Sequence, residues 1–127
     1  MVRGVKRSLL ARARAGDRQA LVRLVRRHQQ ALAGYLWALG APRASLEPLL
    51  IETFVRAFDQ LAPTTPLRRG LFAIATRLAF QHGLPEQRCL LVLCCLEGFS
   101  YSEVAQMLDL PVATVRAKVR RAKSAFR

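Results

Sequence analysis

The stretch from Ser100 to Arg127 reads SYSEVAQMLDLPVATVRAKVRRAKSAFR. Ser100 and Glu103 form an S-x-x-E capping box, in which each side chain satisfies a backbone N–H that the start of a helix leaves free. A short helix to Leu108 follows, with Val104, Ala105 and Leu108 on its buried side. Asp109-Leu110-Pro111 turns the chain, and Leu110 is placed to fill the angle between two helices. From Val112 to about Phe126, the apolar residues Val115, Val119, Ala122 and Phe126 recur at steps of four, three and four. That is one face of a second helix. Two helices joined by so tight a turn make a helix-turn-helix.

The other face of the last helix carries Thr114, Arg116, Lys118, Arg120, Arg121 and Lys123, with Ala113 and Ala117 keeping it slim. A helix that only solvates its charges mixes signs for i,i+4 pairing; residues 116–127 hold six basic groups and no acid. A slim cationic helix fits the major groove of duplex DNA, and its first turns reach the base edges. Val112, Ala113, Thr114, Arg116 and Ala117 are therefore expected at bases or the nearest phosphates. Lys118 is a further DNA-binding candidate on this face, and Arg120, Arg121, Lys123 and Arg127 lie further along, where phosphates are held.

Upstream, the same spacing argument predicts three longer helices. Asp17 caps the first, in which Leu21, Leu24, Val25, His28, Leu32, Tyr35, Leu36 and Leu39 form a stripe, and Gly40-Ala41-Pro42 ends it. Trp37 and Tyr35 fall in with these leucines and are expected to pack. Ser45 is expected to cap the next, with Pro48 in its first turn, where a missing N–H is tolerated. Its stripe is Leu49, Leu50, Phe54, Ala57, Phe58 and Leu61, and residues 62–66 form a turn. The third runs from Leu67 to His82 with Leu71, Ile74, Ala75 and Leu78 inward; Gly83-Leu84-Pro85 breaks it. A helix from Pro85 to Glu97 completes the C-terminal part. Residues 1–15 read as a short helix or a loose arm. The expected fold class is thus all-α, as two small helical modules, residues 1–83 and 84–127, the second a helix-turn-helix.

Composition bounds the function. The chain has 127 residues, 52% of them hydrophobic, and a net charge of +13. Residues 1–27 carry +8 and residues 116–127 carry +6, around a body of −1. Cationic ends seek a polyanion, either nucleic acid or an anionic membrane surface. The longest apolar run, Cys89–Leu96, is far short of the ~20 residues a membrane span requires. Neither it nor the brief apolar stretch after Arg7 makes a secretory leader, so a cytoplasmic location is expected. Cys89, Cys94 and Cys95 share no helix face and no ligand spacing with His28 or His82. They read as core thiols, and no metal or other cofactor is expected. No phosphate loop, carboxylate cluster or nucleophile–base arrangement is present, so an enzyme is not expected.

Residues 84–88 (LPEQR), 91–93 (LVL), 96–105 (LEGFSYSEVA) and 110–116 (LPVATVR) resemble region four of bacterial sigma factors, specifically the extracytoplasmic-function class. Ala113 stands where that family usually has Gly. The resemblance implies binding to the upstream promoter element and docking on the β flap of RNA polymerase core. More faintly, residues 49–58 (LLIETFVRAF) and 71–79 (LFAIATRLA) resemble the polymerase-binding and promoter-melting helices of region two. Glu52, Phe54 and Arg56 are then the polymerase-binding candidates, toward the β′ clamp. Pro48 and Ile51 replace an acid and a Gln of the family, and Gly70 and Arg77 replace its Trp and Asn. The linker between the regions is missing. Strand opening uses aromatic surfaces for unpaired bases; Gly70 offers none, and Phe72 is expected to turn inward. The resemblance implies a sigma-factor-like transcription protein with double-stranded promoter DNA and polymerase core as partners. Two alternatives stand beside it: a sigma-like decoy that binds an anti-sigma factor, and a stand-alone helix-turn-helix regulator. Arg23, Arg26 and Arg27 could face DNA, polymerase or an acidic protein surface.

Overall fold

Each helix begins where a side chain or a proline disposes of the first free N–H groups. In the computed structural model, which describes residues 8–62 and 64–125, these starts define seven helices. Ser8 Oγ accepts from the Ala11 N–H at 3.1 Å and opens α1 (Leu9–Arg14). Asp17 does the same for α2 (Arg18–Ala38), accepting from Ala20 N–H at 3.1 Å. Arg14 of α1 donates to the carbonyls of Phe58 (2.6 Å) and Ala57 (3.3 Å). It thereby covers the Phe58 carbonyl near the end of α3 and adds a second donor to Ala57, which also accepts from the Leu61 N–H.

The start of α3 differs from expectation. The helix runs Arg43–Gln60, and Pro42 rather than Ser45 precedes it. Pro42 has the fixed φ of proline and needs no side-chain cap to launch the helix. Pro48 consequently lies inside α3, beyond the first turn. Pro48 and Ala44, whose carbonyl loses its partner, are both exposed, so the orphan acceptor lies on the solvent side of the helix. α4 (Leu67–Gln81) and α5 (Glu86–Cys95) follow Pro66 and Pro85 in the same way. The expected capping box opens α6 (Tyr101–Leu108), with both reciprocal bonds at 3.0 Å. Asp109 takes a left-handed φ of 54° in the turn, and α7 (Val112–Ala125) leaves it. The basic N-terminal residues Arg3, Lys6 and Arg7, as well as Pro63, Phe126 and Arg127, lie outside the described residues.

α1 packs on α2, and α2, α3 and α4 pack on one another; α5, α6 and α7 form a second group. The two groups share one core. Phe72 of α4 sits between Tyr35 of α2 (ring centroids 5.1 Å apart) and Phe99 of the α5–α6 turn (5.5 Å). All three rings are buried, so Phe72 turns inward as expected. Thr76 Oγ donates to the Phe72 carbonyl (2.6 Å), and a hydroxyl has one proton to give. The Tyr35 hydroxyl, 2.7 Å away, therefore donates to Thr76, and burial pushes the Tyr35 pKa upward.

Arg68 lies over the Phe72 and Phe99 rings (4.9 and 4.3 Å) and donates to the Glu97 carbonyl. Arg69 donates to Gln106 (3.1 Å), and Arg77 donates to the Met107 carbonyl (3.0 Å) beside the Asp109 carboxylate. All three arginines of α4 are thus committed to the α5–α6 segment.

Three expectations about burial fail. Trp37 is 62% exposed and does not pack. At ~100° per residue it lies opposite the buried Leu24, Leu32 and Leu36. Cys95 is exposed, while Cys89 is buried and Cys94 half-buried. Consecutive helical positions point ~100° apart, so the pair Cys94-Cys95 cannot both face the core. Leu21, expected in the α2 stripe, is also exposed. No helix among the described residues is long and apolar enough to cross a membrane.

Candidate nucleic-acid interface

The outward surface of α7 follows from which side it buries. Val115, Val119 and Ala122 are inside, against α5 and α6. At ~100° per residue, Ala113, Ala117, Arg120, Arg121 and Ser124 then fall on the far side, and all five are exposed. Small residues line the middle of this ridge, so its backbone can approach another surface closely. No acid lies in α7.

The remaining candidates divide between the two flanks. Arg116 is exposed on the flank toward α6, its guanidinium 6.0 Å from the centre of the Tyr101 ring. This is the outer limit of a cation–π contact; it orients the side chain along the groove between the helices. Lys123, also exposed, lies on the same flank. Thr114 and Lys118, both half-buried, occupy the other flank, toward α5. Lys118 is ion-paired with Glu86, the first residue of α5. Among the nine of these ten expected DNA-facing residues that are described, it alone is ion-paired to the body of the fold. Val112 is half-buried at the helix start.

α6 fixes the angle of α7. Val104, Ala105 and Met107 are buried, and half-buried Leu108 and Leu110 pack against the same core. The Ser100 N–H bond holds the Glu103 carboxyl below its usual range. Sequence reasoning missed Tyr101 and Glu86 as partners of the α7 cations. Glu86 is 32 residues from Lys118, and no local pattern links positions so far apart. Tyr101 could have been found: it is an aromatic at the start of α6, the helix on which α7 packs.

The second candidate group, on α3, is divided. Glu52 and Arg56 are half-buried and paired with each other at 2.9 Å, an i,i+4 bridge. Phe54 is half-buried against the core, about 160° around the helix from Glu52. The outermost ridge of α3 is apolar instead: Pro48, Ile51 and Val55 are exposed. At Gly70 an added Cβ would stand 2.8 Å from both methyl carbons of Leu61. Leu61 therefore occupies the space into which a larger side chain would project. Among the described residues no group of three or more His, Cys, Asp or Glu could hold a metal ion.

Residues 84–126 match the family described as Sigma-70, region 4. The chain is 39% identical over 62 residues to the ECF RNA polymerase sigma-E factor of Haemophilus influenzae, covering 46% of this chain and 33% of that protein. It is 37% identical over 71 residues to the RNA polymerase sigma factor CnrH of Cupriavidus metallidurans, covering 54% of this chain and 37% of that protein. The matched stretches thus span about a third of the length of these curated relatives. The solved structure of CnrH in complex with the cytosolic domain of CnrY superposes with a TM-score of 0.73 at 30% identity. That likeness covers 93% of this chain and 92% of the CnrH chain.

Proposed function

Because the chain belongs to the sigma factor family, we propose that it is a transcription protein that binds duplex promoter DNA through α7 and docks on RNA polymerase core. It has no catalytic chemistry of its own and works in the cytoplasm. The observation that carries this reading is the acid-free, exposed ridge of α7. Ala113 and Ala117 let the helix enter a major groove. Arg116, oriented over Tyr101, and Thr114 meet base edges near the helix start, while Arg120, Arg121 and Lys123 hold phosphates. Lys118 contributes less, because Glu86 already neutralises it. The proposed polymerase contacts are the β flap, through the α5–α7 group, and the β′ clamp, through the α3 ridge beside Glu52 and Arg56. An anti-sigma factor is proposed as a further partner, since CnrH was solved with the cytosolic domain of CnrY.

One observation favours a second reading, a DNA-binding regulator that keeps the sigma fold without opening strands. The arginines of α4 are committed to the α5–α6 segment, and Gly70 offers no ring for an unpaired base. In-vitro transcription with core polymerase on a genomic fragment library, run beside a mobility shift, separates the two. Specific transcripts support the first reading, and a shift without transcripts supports the second. Absence of both contradicts the DNA-binding role itself.

A further inference from the structure

We propose that the outward face of α2 binds single-stranded nucleic acid, with the Trp37 indole stacked on an unpaired base and Arg23, Arg26 and Arg27 holding the flanking phosphates. This surface lies apart from α7 and does not depend on its reading of duplex DNA.

At ~100° per residue, Arg23, Arg26, Gln30 and Trp37 fall within about 60° of one another on α2. All four are exposed. With a rise of ~1.5 Å per residue, the row from Arg23 to Trp37 is about 21 Å long. The whole segment from Arg18 to Leu46 contains five arginines and no acid. None of the arginines on α2 makes an ion pair among the described residues. A solvated helix face of this length normally interleaves opposite charges; this one is uncompensated and calls for a polyanion.

The indole selects among polyanions. Trp37 is 62% exposed, which leaves most of a large apolar ring in water. One turn back, a Cβ built on Gly34 would meet nothing within 4 Å, so the helix surface beside Trp37 is open. A flat, uncovered aromatic beside a row of cations is the pairing that single strands use: bases stack on the ring and phosphates run along the charges. A duplex, whose bases are already stacked, has no use for the ring. An acidic peptide would use the arginines and leave the indole idle.

Trp37 is the chain's one tryptophan, so its fluorescence reports this surface alone. A short oligothymidylate titrated into the full chain is expected to quench the emission saturably. With a labelled oligothymidylate followed by anisotropy, Trp37→Ala should weaken binding roughly 5- to 150-fold, the range for one stacked base. Trp37→Phe should restore most of it, and Arg26→Ala should lower the salt slope by about 0.7. Duplex binding should be unchanged in Trp37→Ala. The proposal is overturned if the oligonucleotide leaves the emission unchanged, or if Trp37→Ala binds it as well as the parent. Loss of oligothymidylate binding in Arg120→Ala/Arg121→Ala alone would assign the strand to α7, and equal quenching by polyglutamate would assign the face to an acidic protein; either overturns it.

Discussion

Replacing Phe72 with alanine tests whether one core fastens α7 to the rest of the molecule. Phe72 is fully buried between Tyr35 and Phe99, with Arg68 over its ring. Removing a buried phenylalanine costs ~3–5 kcal/mol in transfer and cavity terms. Two aromatic pairs are worth ~0.5–1.5 kcal/mol each, part of which is already counted in the burial. The sum falls near the top of the range, about 4–5 kcal/mol, against a total stability of ~5–15 kcal/mol for such a domain. In a urea titration followed by far-UV circular dichroism, a slope of ~2 kcal/mol/M turns this into a midpoint about 2 M lower. Both the parent and the variant should unfold in one transition, because the core is continuous across Gly83. A double-mutant cycle with Phe99→Ala should return a coupling of ~0.5–1.5 kcal/mol. A loss below about 2 kcal/mol, zero coupling to Phe99, or two separate transitions in the parent would refute the shared core.

Three further outcomes follow from particular contacts. Glu86→Gln releases Lys118 for a phosphate, so duplex affinity should rise by up to roughly eightfold near 0.1 M salt and the salt slope should steepen by about 0.9; a mobility shift across salt concentrations measures both. Ser100→Ala removes one arm of the capping box and should cost ~1 kcal/mol in urea unfolding. The contribution of the other arm is present above the ordinary Glu103 pKa of 4.5 and is lost as pH falls through its depressed folded value. Burial pushes the Cys94 thiol up to about 11 and Cys89 up to about 12. At pH 8 roughly one Cys94 in a thousand is thiolate, so a disulfide reagent should titrate one fast thiol, the exposed Cys95, and reach the others only in denaturant.

Helix positions were legible in the sequence because local chemistry sets them. The S-x-x-E box, the 4-3-4 spacing of α7 and the Gly83 break each act within a few residues. The start of α3 departs from the expectation because Ser45 is a better hydrogen-bonding cap than Pro42, yet a fixed φ alone launches the helix three residues earlier. Trp37 departs from the expectation because it follows two core residues, Tyr35 and Leu36, but the ~100° step between positions turns it to solvent. The joint between the two helical groups left no pattern to read. Arg68, Arg69 and Arg77 meet partners 29, 37 and 30 residues away, and only the folded chain brings them together. The same holds for Glu86 and Lys118, so the sequence showed which residues of α7 are cationic but not which one is neutralised.

The salt dependence of duplex binding tests the central claim most directly. Each phosphate held by a cation contributes about 0.9 to the slope of log affinity against log salt concentration. Arg120→Ala/Arg121→Ala should flatten that slope by about 1.8 and weaken all duplex sequences alike. A variant with the parent's slope would show that the exposed ridge of α7 does not hold the DNA backbone.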